Sequence, residues 1–92
     1  MGVSSVSEVG NLLLVRWLDA HNYPVTWTMV EDIEPYVAEV TSVGWEVYRD
    51  DRQLILSADV ADDIDGETQV NSYFAIPRGC IVSEEILRVA NG

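Results

Sequence analysis

The sequence predicts a single, mainly β domain: a small, strongly bent barrel of four or five strands with one short helix. Short runs of apolar and strand-forming residues alternate with clusters of turn residues. Hydrophobic residues make up 48% of the 92 residues, which is enough for one core, and the chain is too short for two domains. We predict a flexible lead over residues 1–10 and one domain over residues 11–92.

The first strand is predicted at residues 12–18, a compact apolar run. Residues 19–24 are rich in turn formers and indicate a loop. Thr28 and Glu31 have the spacing of a capping box, which predicts a helix start. Pro35 limits that helix to one or two turns.

The second strand is predicted at residues 36–48 and has a glycine in its middle. Val43, Trp45 and Val47 fall on one face of this strand, and the core is the expected place for Trp45. Gly44 indicates a sharp bend or a bulge, which a small barrel needs at its corners.

A hairpin and an acidic loop are predicted next. Residues 45–48 and 53–58 flank a polar tip at residues 49–52, so these two segments should pair. Residues 59–67 are strongly acidic and end in an Asp-Gly turn signal. We therefore predict a loop over this acidic run.

The chain is predicted to close with two short strands and a helical turn. Residues 69–76 are rich in strand formers, residues 77–79 indicate a tight turn, and residues 80–82 form a short last strand. Ser83 is expected to cap a helical turn through Leu87. Short strands with tight connections are typical of SH3-like and Sm-like barrels.

The chain contains no lysine, and five arginines face sixteen carboxylates, for a net charge of −11. Nucleic acid and anionic membranes both require Lys and Arg, so we predict no direct binding to either. A surface of this sign favours a basic partner, a cation or simple solubility.

One cysteine, Cys80, excludes an internal disulfide framework and fits a reducing compartment. The first residues show no secretory signal, and no run approaches the roughly 20 apolar residues that span a bilayer. A cytoplasmic location is therefore predicted.

Three stretches resemble small uncharacterised proteins of phages and prophages. They are the Trp-Leu-Asp at residues 17–19, the Val-Gly-Trp strand and Asp-Asp turn within residues 43–56, and the Ile-Pro-Arg-Gly turn within residues 76–82. The resemblance covers roughly residues 13–87. It implies a viral or mobile-element origin, and hence the host cytoplasm, without an assigned activity.

A weaker resemblance to the Sm family rests on Gly44, Asp50 and the pair Arg78-Gly79. The asparagine with which Sm proteins contact RNA bases is absent, and Gln53 stands near its place. The spacing is also about one residue shorter, which reverses the faces of a strand. These departures argue against carrying over ring assembly or RNA binding.

The first candidate site is the acidic run at residues 59–67, together with the polar tip at residues 49–52, which is expected to lie beside it. A calcium loop is incomplete there, since Ala61 occupies the first ligand position and no Glu stands at the twelfth, so no metal is predicted. A solvated loop is the ordinary interpretation. Alternatively, clustered carboxylates imitate a phosphate backbone and bind an arginine- and lysine-lined surface of a host protein, such as a defence or nucleic-acid-binding protein. The predicted contact residues are Asp50, Asp51, Asp59, Asp62, Asp63, Asp65 and Glu67.

The second candidate site consists of Arg78 and Trp27. A symmetric homo-oligomer would gather several copies of Arg78 and hold a nucleotide second messenger, which makes the protein a sponge. The ordinary alternatives are that Arg78 pairs with a neighbouring carboxylate and that Trp27 packs under the short helix. A role as a virion or assembly component is a third possibility.

No catalytic constellation is apparent. The chain has one histidine, His21, in a predicted loop, and Cys80 lies in a predicted strand where a thiol is usually a small buried hydrophobe. No phosphate-binding or metalloprotease motif occurs. We predict a non-enzymatic binding protein without a cofactor.

Overall fold

The computed structural model describes residues 9–62 and 66–90. The described part consists of five strands and two 3₁₀ turns and contains no α-helix. Most of the predicted flexible lead, together with Asp63 and Asp65, lies outside the described residues. The strands are β1 (Leu12–Asp19), β2 (Ala38–Arg49), β3 (Gln53–Asp62), β4 (Thr68–Pro77) and β5 (Ile81–Arg88), with 3₁₀ turns at Val30–Asp32 and Arg78–Cys80.

The strands form one antiparallel sheet in the order β4-β3-β2-β1-β5, which is not closed into a barrel. The prediction of a mainly β domain is confirmed, and the prediction of a closed barrel is wrong. Only the second 3₁₀ turn separates β4 from β5, although these strands are the two edges of the sheet. Four residue steps span at most about 14 Å, so the sheet must curl to bring its edges together there.

The core lies on the concave face of the curled sheet. Alternate side chains of β1 point into it, since successive residues of a strand face opposite sides. Trp17, at the end of β1, has its ring 6.3 Å from that of Phe74 in β4, so the curl joins two strands that are not neighbours. The fully buried apolar residues are Leu13, Val15, Leu54, Leu56 and Ile76, with Trp17 and Ile81 packed against them.

The face of β2 that meets the core is the opposite of the predicted one. Gly44 is buried and lies opposite Leu13 of β1, whereas the side chain of Val43 is 52% exposed. The irregularity expected at the glycine lies further along, as a register shift against β3 between Glu46 and Tyr48. Gly44 therefore allows β2 to pack closely against the core, and the irregularity of β2 lies between Glu46 and Tyr48 instead.

Both predicted helical segments are wrong. The 3₁₀ turn Val30–Asp32 follows Met29, which makes no side-chain cap, so the capping box is not formed. The segment after Ser83 continues as β5, because pairing with the free edge of β1 satisfies its backbone. Cys80, predicted in a strand, is half-buried in the second 3₁₀ turn.

The pairing of β3 with β4 skips one residue pair, between Ser57–Tyr73 and Asp59–Asn71. The buried Ser57 hydroxyl lies 2.9 Å from the carbonyl oxygen of Asp59 and 2.8 Å from that of Asn71, within hydrogen-bonding distance of both strands. Ser72 has a φ of 57°, in the left-handed region that favours glycine.

Replacing Ser72 with glycine is expected to stabilise the protein by about 0.5–1 kcal/mol, because glycine adopts this φ without steric cost. Ser72→Val should have the opposite effect, since a β-branched residue is strongly disfavoured there. Urea unfolding followed by tryptophan fluorescence measures both changes. Equal stabilities of the two variants would contradict the interpretation.

Candidate functional site

The predicted acidic loop is largely a two-stranded ribbon. We use this name for Asp59–Asp62 of β3 and residues 68–71 of β4, which pair with each other beyond the part of β3 that pairs with β2. Asp59 and Asp62 are exposed on β3, and Glu67 lies in the turn just before β4. The prediction of a loop is therefore wrong for Asp59 and Asp62.

The whole β3–β4 hairpin carries charge of one sign. Residues 53–77 contain five carboxylates and neither lysine nor arginine. Asp62 accepts a hydrogen bond from the Thr68 hydroxyl at 3.0 Å, which joins the two strands near the tip without neutralising the charge. Because no cation lies within the hairpin sequence, its carboxylates are a concentrated source of negative potential.

Asp50 and Asp51 do not lie beside the ribbon tip. They precede β3, so about nine residues of strand, roughly 30 Å along the chain, separate them from Asp62. Their predicted position next to the acidic run is therefore wrong. Asp51 is exposed at this other end.

The Asp50 carboxylate stabilises the β2–β3 turn. It accepts hydrogen bonds from the backbone N–H groups of Arg52 at 2.8 Å and Gln53 at 2.9 Å, and from the Tyr48 hydroxyl at 2.9 Å. These bonds, the one from Arg52 above all, lower the pKa of Asp50. The bond to Asp50 raises the pKa of Tyr48. Sequence reasoning assigned Asp50 to a partner, but its acceptor positions serve the turn.

In the part of the chain that the structure describes, Arg16 and Arg49 form ion pairs with carboxylates. Arg49 donates to Glu84 at 2.6 Å and to Glu46 at 2.9 Å, and Arg16 pairs with Glu39. The hydrogen bond from Arg49 lowers the pKa of Glu84. None of these three carboxylates lies in the β3–β4 hairpin, so the internal pairing leaves the charge of the ribbon in place.

The structure does not bring Arg78 and Trp27 together. The Arg78 guanidinium donates to the backbone carbonyl of Asp50 at 2.7 Å, in place of the expected carboxylate. Trp27 is fully exposed, so its side chain packs against no other part of the described structure. The expectation that Trp27 packs under the short helix is wrong.

Sequence reasoning missed the connection between β1 and β2, which we call the arm (residues 20–37). Every residue of the arm is exposed. Val25, Trp27 and Met29 alternate along it between Pro24 and Pro35, and this pattern is the sequence signal for an extended apolar segment. A connection of this length is uncommon in a compact domain and is usually either a functional loop or a linker.

The base of the arm is ordered by aromatic contacts. The His21 ring meets Tyr23 and Tyr36 edge-on, with ring centroids 4.7 and 4.6 Å apart. The Tyr23 hydroxyl donates to the backbone carbonyl of Glu34 at 2.6 Å, which ties the two ends of the arm together. The apolar tip between them is presented to solvent.

Comparison with protein-family models, with curated proteins and with solved structures found no significant match to this chain. Within the described ranges, no three His, Cys, Asp or Glu side chains lie together as ligands for a metal ion. No helix in the same ranges is both long and apolar enough to cross a membrane.

Proposed function

We propose that this protein is a non-enzymatic binding protein that docks the carboxylates of its β3–β4 hairpin onto a basic surface of a partner protein. The observation that carries the proposal is the hairpin itself: its sequence contains five carboxylates and no cation, and Asp59 and Asp62 are exposed on it. The resemblance to phage proteins makes a host protein, such as a defence or nucleic-acid-binding protein, the proposed target.

The electrostatics of the chain support this assignment. A one-signed projecting element steers an oppositely charged partner toward it and increases the association rate. Arg16 and Arg49 are engaged with carboxylates of other strands, so they do not screen the ribbon. Affinity should fall as salt rises, because the Debye length shortens from roughly 14 Å to about 4 Å between 50 and 500 mM salt.

The proposed contact residues are fewer than the sequence predicts. Asp50 is excluded because its carboxylate holds the β2–β3 turn, and Asp51 lies at the same distant end of β3. The remaining residues are Asp59, Asp62, Asp63, Asp65 and Glu67.

Several sequence-based expectations stay predictions. They are the SH3-like or Sm-like relationship, the phage or mobile-element origin, the location in the host cytoplasm, and the roles as nucleotide sponge or virion component. No contact within one copy favours the sponge, since Arg78 and Trp27 are apart.

Binding of a fluorescent deca-arginine peptide tests the proposal by anisotropy. The double variant Asp59→Asn/Asp62→Asn should bind roughly 10-fold more weakly than wild type, since each exposed ion pair contributes up to about 1 kcal/mol. The matched control Glu31→Gln/Asp32→Asn removes the same charge from the arm and should change affinity far less. Equal weakening by both double variants would show that only net charge matters.

A further inference from the structure

The arm exposes more large apolar side chains than the core of the described residues buries. Five apolar residues form that core, whereas eight large apolar residues of the arm are exposed. Isolated surface apolar residues are ordinary, but a contiguous apolar surface marks an interaction site. The eight residues are Tyr23, Val25, Trp27, Met29, Val30, Ile33, Tyr36 and Val37.

The arm is large enough to form one side of a stable interface. Eight large side chains that are half to fully exposed present roughly 1,000 Å² of surface, and a standard interface buries about 800 Å² per partner. Its tip, residues 25–29, carries no charged residue, and Glu31, Asp32 and Glu34 follow the tip in the sequence. The tip can therefore enter an apolar groove while its carboxylates remain in water.

The rest of the described structure, outside the arm, has such a groove, and we call this part of the protein the body. The groove has a volume of about 270 Å³ and is lined by residues of β2, β3 and β4 together with Val9. None of its lining residues is charged, and its size suits a single large aromatic side chain. The lining residues are Val9, Val47, Ile55, Thr68, Val70 and Tyr73.

We propose that the arm of one copy packs into this groove of a second copy, with Trp27 as the inserted side chain, so that the protein forms a symmetric dimer. The occupant is a second copy because one chain carries both halves of the contact, an uncharged apolar tip and, on the body, an uncharged groove of the size of one aromatic side chain. The exposed surface of the arm also matches one side of a stable interface. A two-fold arrangement covers arm and groove twice at once.

Sedimentation velocity over a range of protein concentrations tests the dimer. Trp27→Ser should raise the dissociation constant of the dimer roughly 1,000-fold, the effect of losing two buried aromatic side chains, one from each copy, while Trp27→Phe should largely preserve association. The matched control Val82→Ser removes an apolar residue that is 52% exposed on β5, outside arm and groove, and should leave the dimer intact. A wild-type protein that stays monomeric, or an unchanged constant for Trp27→Ser, overturns the proposal.

The salt dependence of dimer formation and of peptide binding distinguishes the proposed dimer from the proposed function. Each copy carries a net charge of −11, so added salt should strengthen the dimer by screening repulsion, whereas it should weaken binding of deca-arginine. A monomer that still binds the peptide through the ribbon would refute the dimer alone. A dimer that ignores the peptide would refute the proposed function alone.

A cross-linking experiment tests the contact itself. In a Cys80→Ser background, the single variants Trp27→Cys and Val70→Cys are mixed and oxidised. The mixture should yield cross-linked dimers, and each variant alone should yield far fewer, because each Trp27 should approach Val70 of the other copy. If the mixture cross-links no better than the separate variants, Trp27 does not enter the groove.

Discussion

Gly44→Val is expected to destabilise the protein by about 3 kcal/mol. A Cβ atom at Gly44 would lie 3.0 Å from the Cβ of Leu56 and 3.0 Å from the carbonyl oxygen of Ser57. Both residues are buried in β3, so neither can move aside easily. The two further methyl groups of valine add to this overlap, in a protein whose whole stability is of the order of 5–15 kcal/mol.

Gly79→Ala is the matched control for this prediction. A Cβ atom at Gly79 meets nothing within 4 Å, so alanine should be accepted there with little change in stability. Urea unfolding followed by tryptophan fluorescence compares the free energies of unfolding of both variants with that of wild type. Similar losses for the two variants would mean that the close approach of β2 and β3 is not what requires glycine at position 44.

Strands β1, β2 and β4 and the first part of β3 were predictable because each depends on residues close together in the sequence, whereas most of β5 was assigned to a helical turn. The runs at residues 12–18 and 53–58 lie within β1 and β3, and turn residues mark the hairpin between β2 and β3. The inward face of β2 was not predictable in the same way. Its alternation fits either face, and only contact with Leu56 of β3 shows that Gly44 points inward. Whether the sheet closes into a barrel likewise depends on pairing between strands that are distant in the sequence, and local sequence patterns do not show that pairing.

The candidate site was predictable in composition and not in placement. The sequence shows which residues carry charge, but not that Asp50 accepts the backbone bonds of a turn or that Asp59 continues a strand. The arm was missed because apolar residues are ordinarily assigned to a core, as Trp27 was. Its complete exposure is a property of the folded chain, since it depends on what the rest of the sheet leaves uncovered.

Arg49→Met is expected to cost about 2 kcal/mol, because it removes the shared partner of two carboxylates that are only partly solvated. The side chains of Glu46 and Glu84 are 25% and 28% exposed, and Arg49 bonds to both. Arg49 also links β2 to β5, which lie on either side of β1 in the sheet. Urea unfolding at neutral pH measures the loss. Arg52→Met, at an exposed position, removes the same charge and serves as the control.

Acid should reveal the same contact in the wild-type protein. The pKa of Glu84 is lowered from its ordinary value of 4.5, chiefly by the hydrogen bond from Arg49. A carboxyl group with a lowered folded pKa contributes stability above its unfolded pKa and loses it as the pH falls through the folded value. Stability should therefore decline below about pH 4.5, and Glu84→Gln, which is less stable at pH 7, should lose less over that range. The free energy of unfolding of both proteins is measured by urea unfolding as a function of pH. If it falls equally with acid in wild type and in Glu84→Gln, other carboxylates cause the acid sensitivity and the contact between Arg49 and Glu84 does not stabilise the fold.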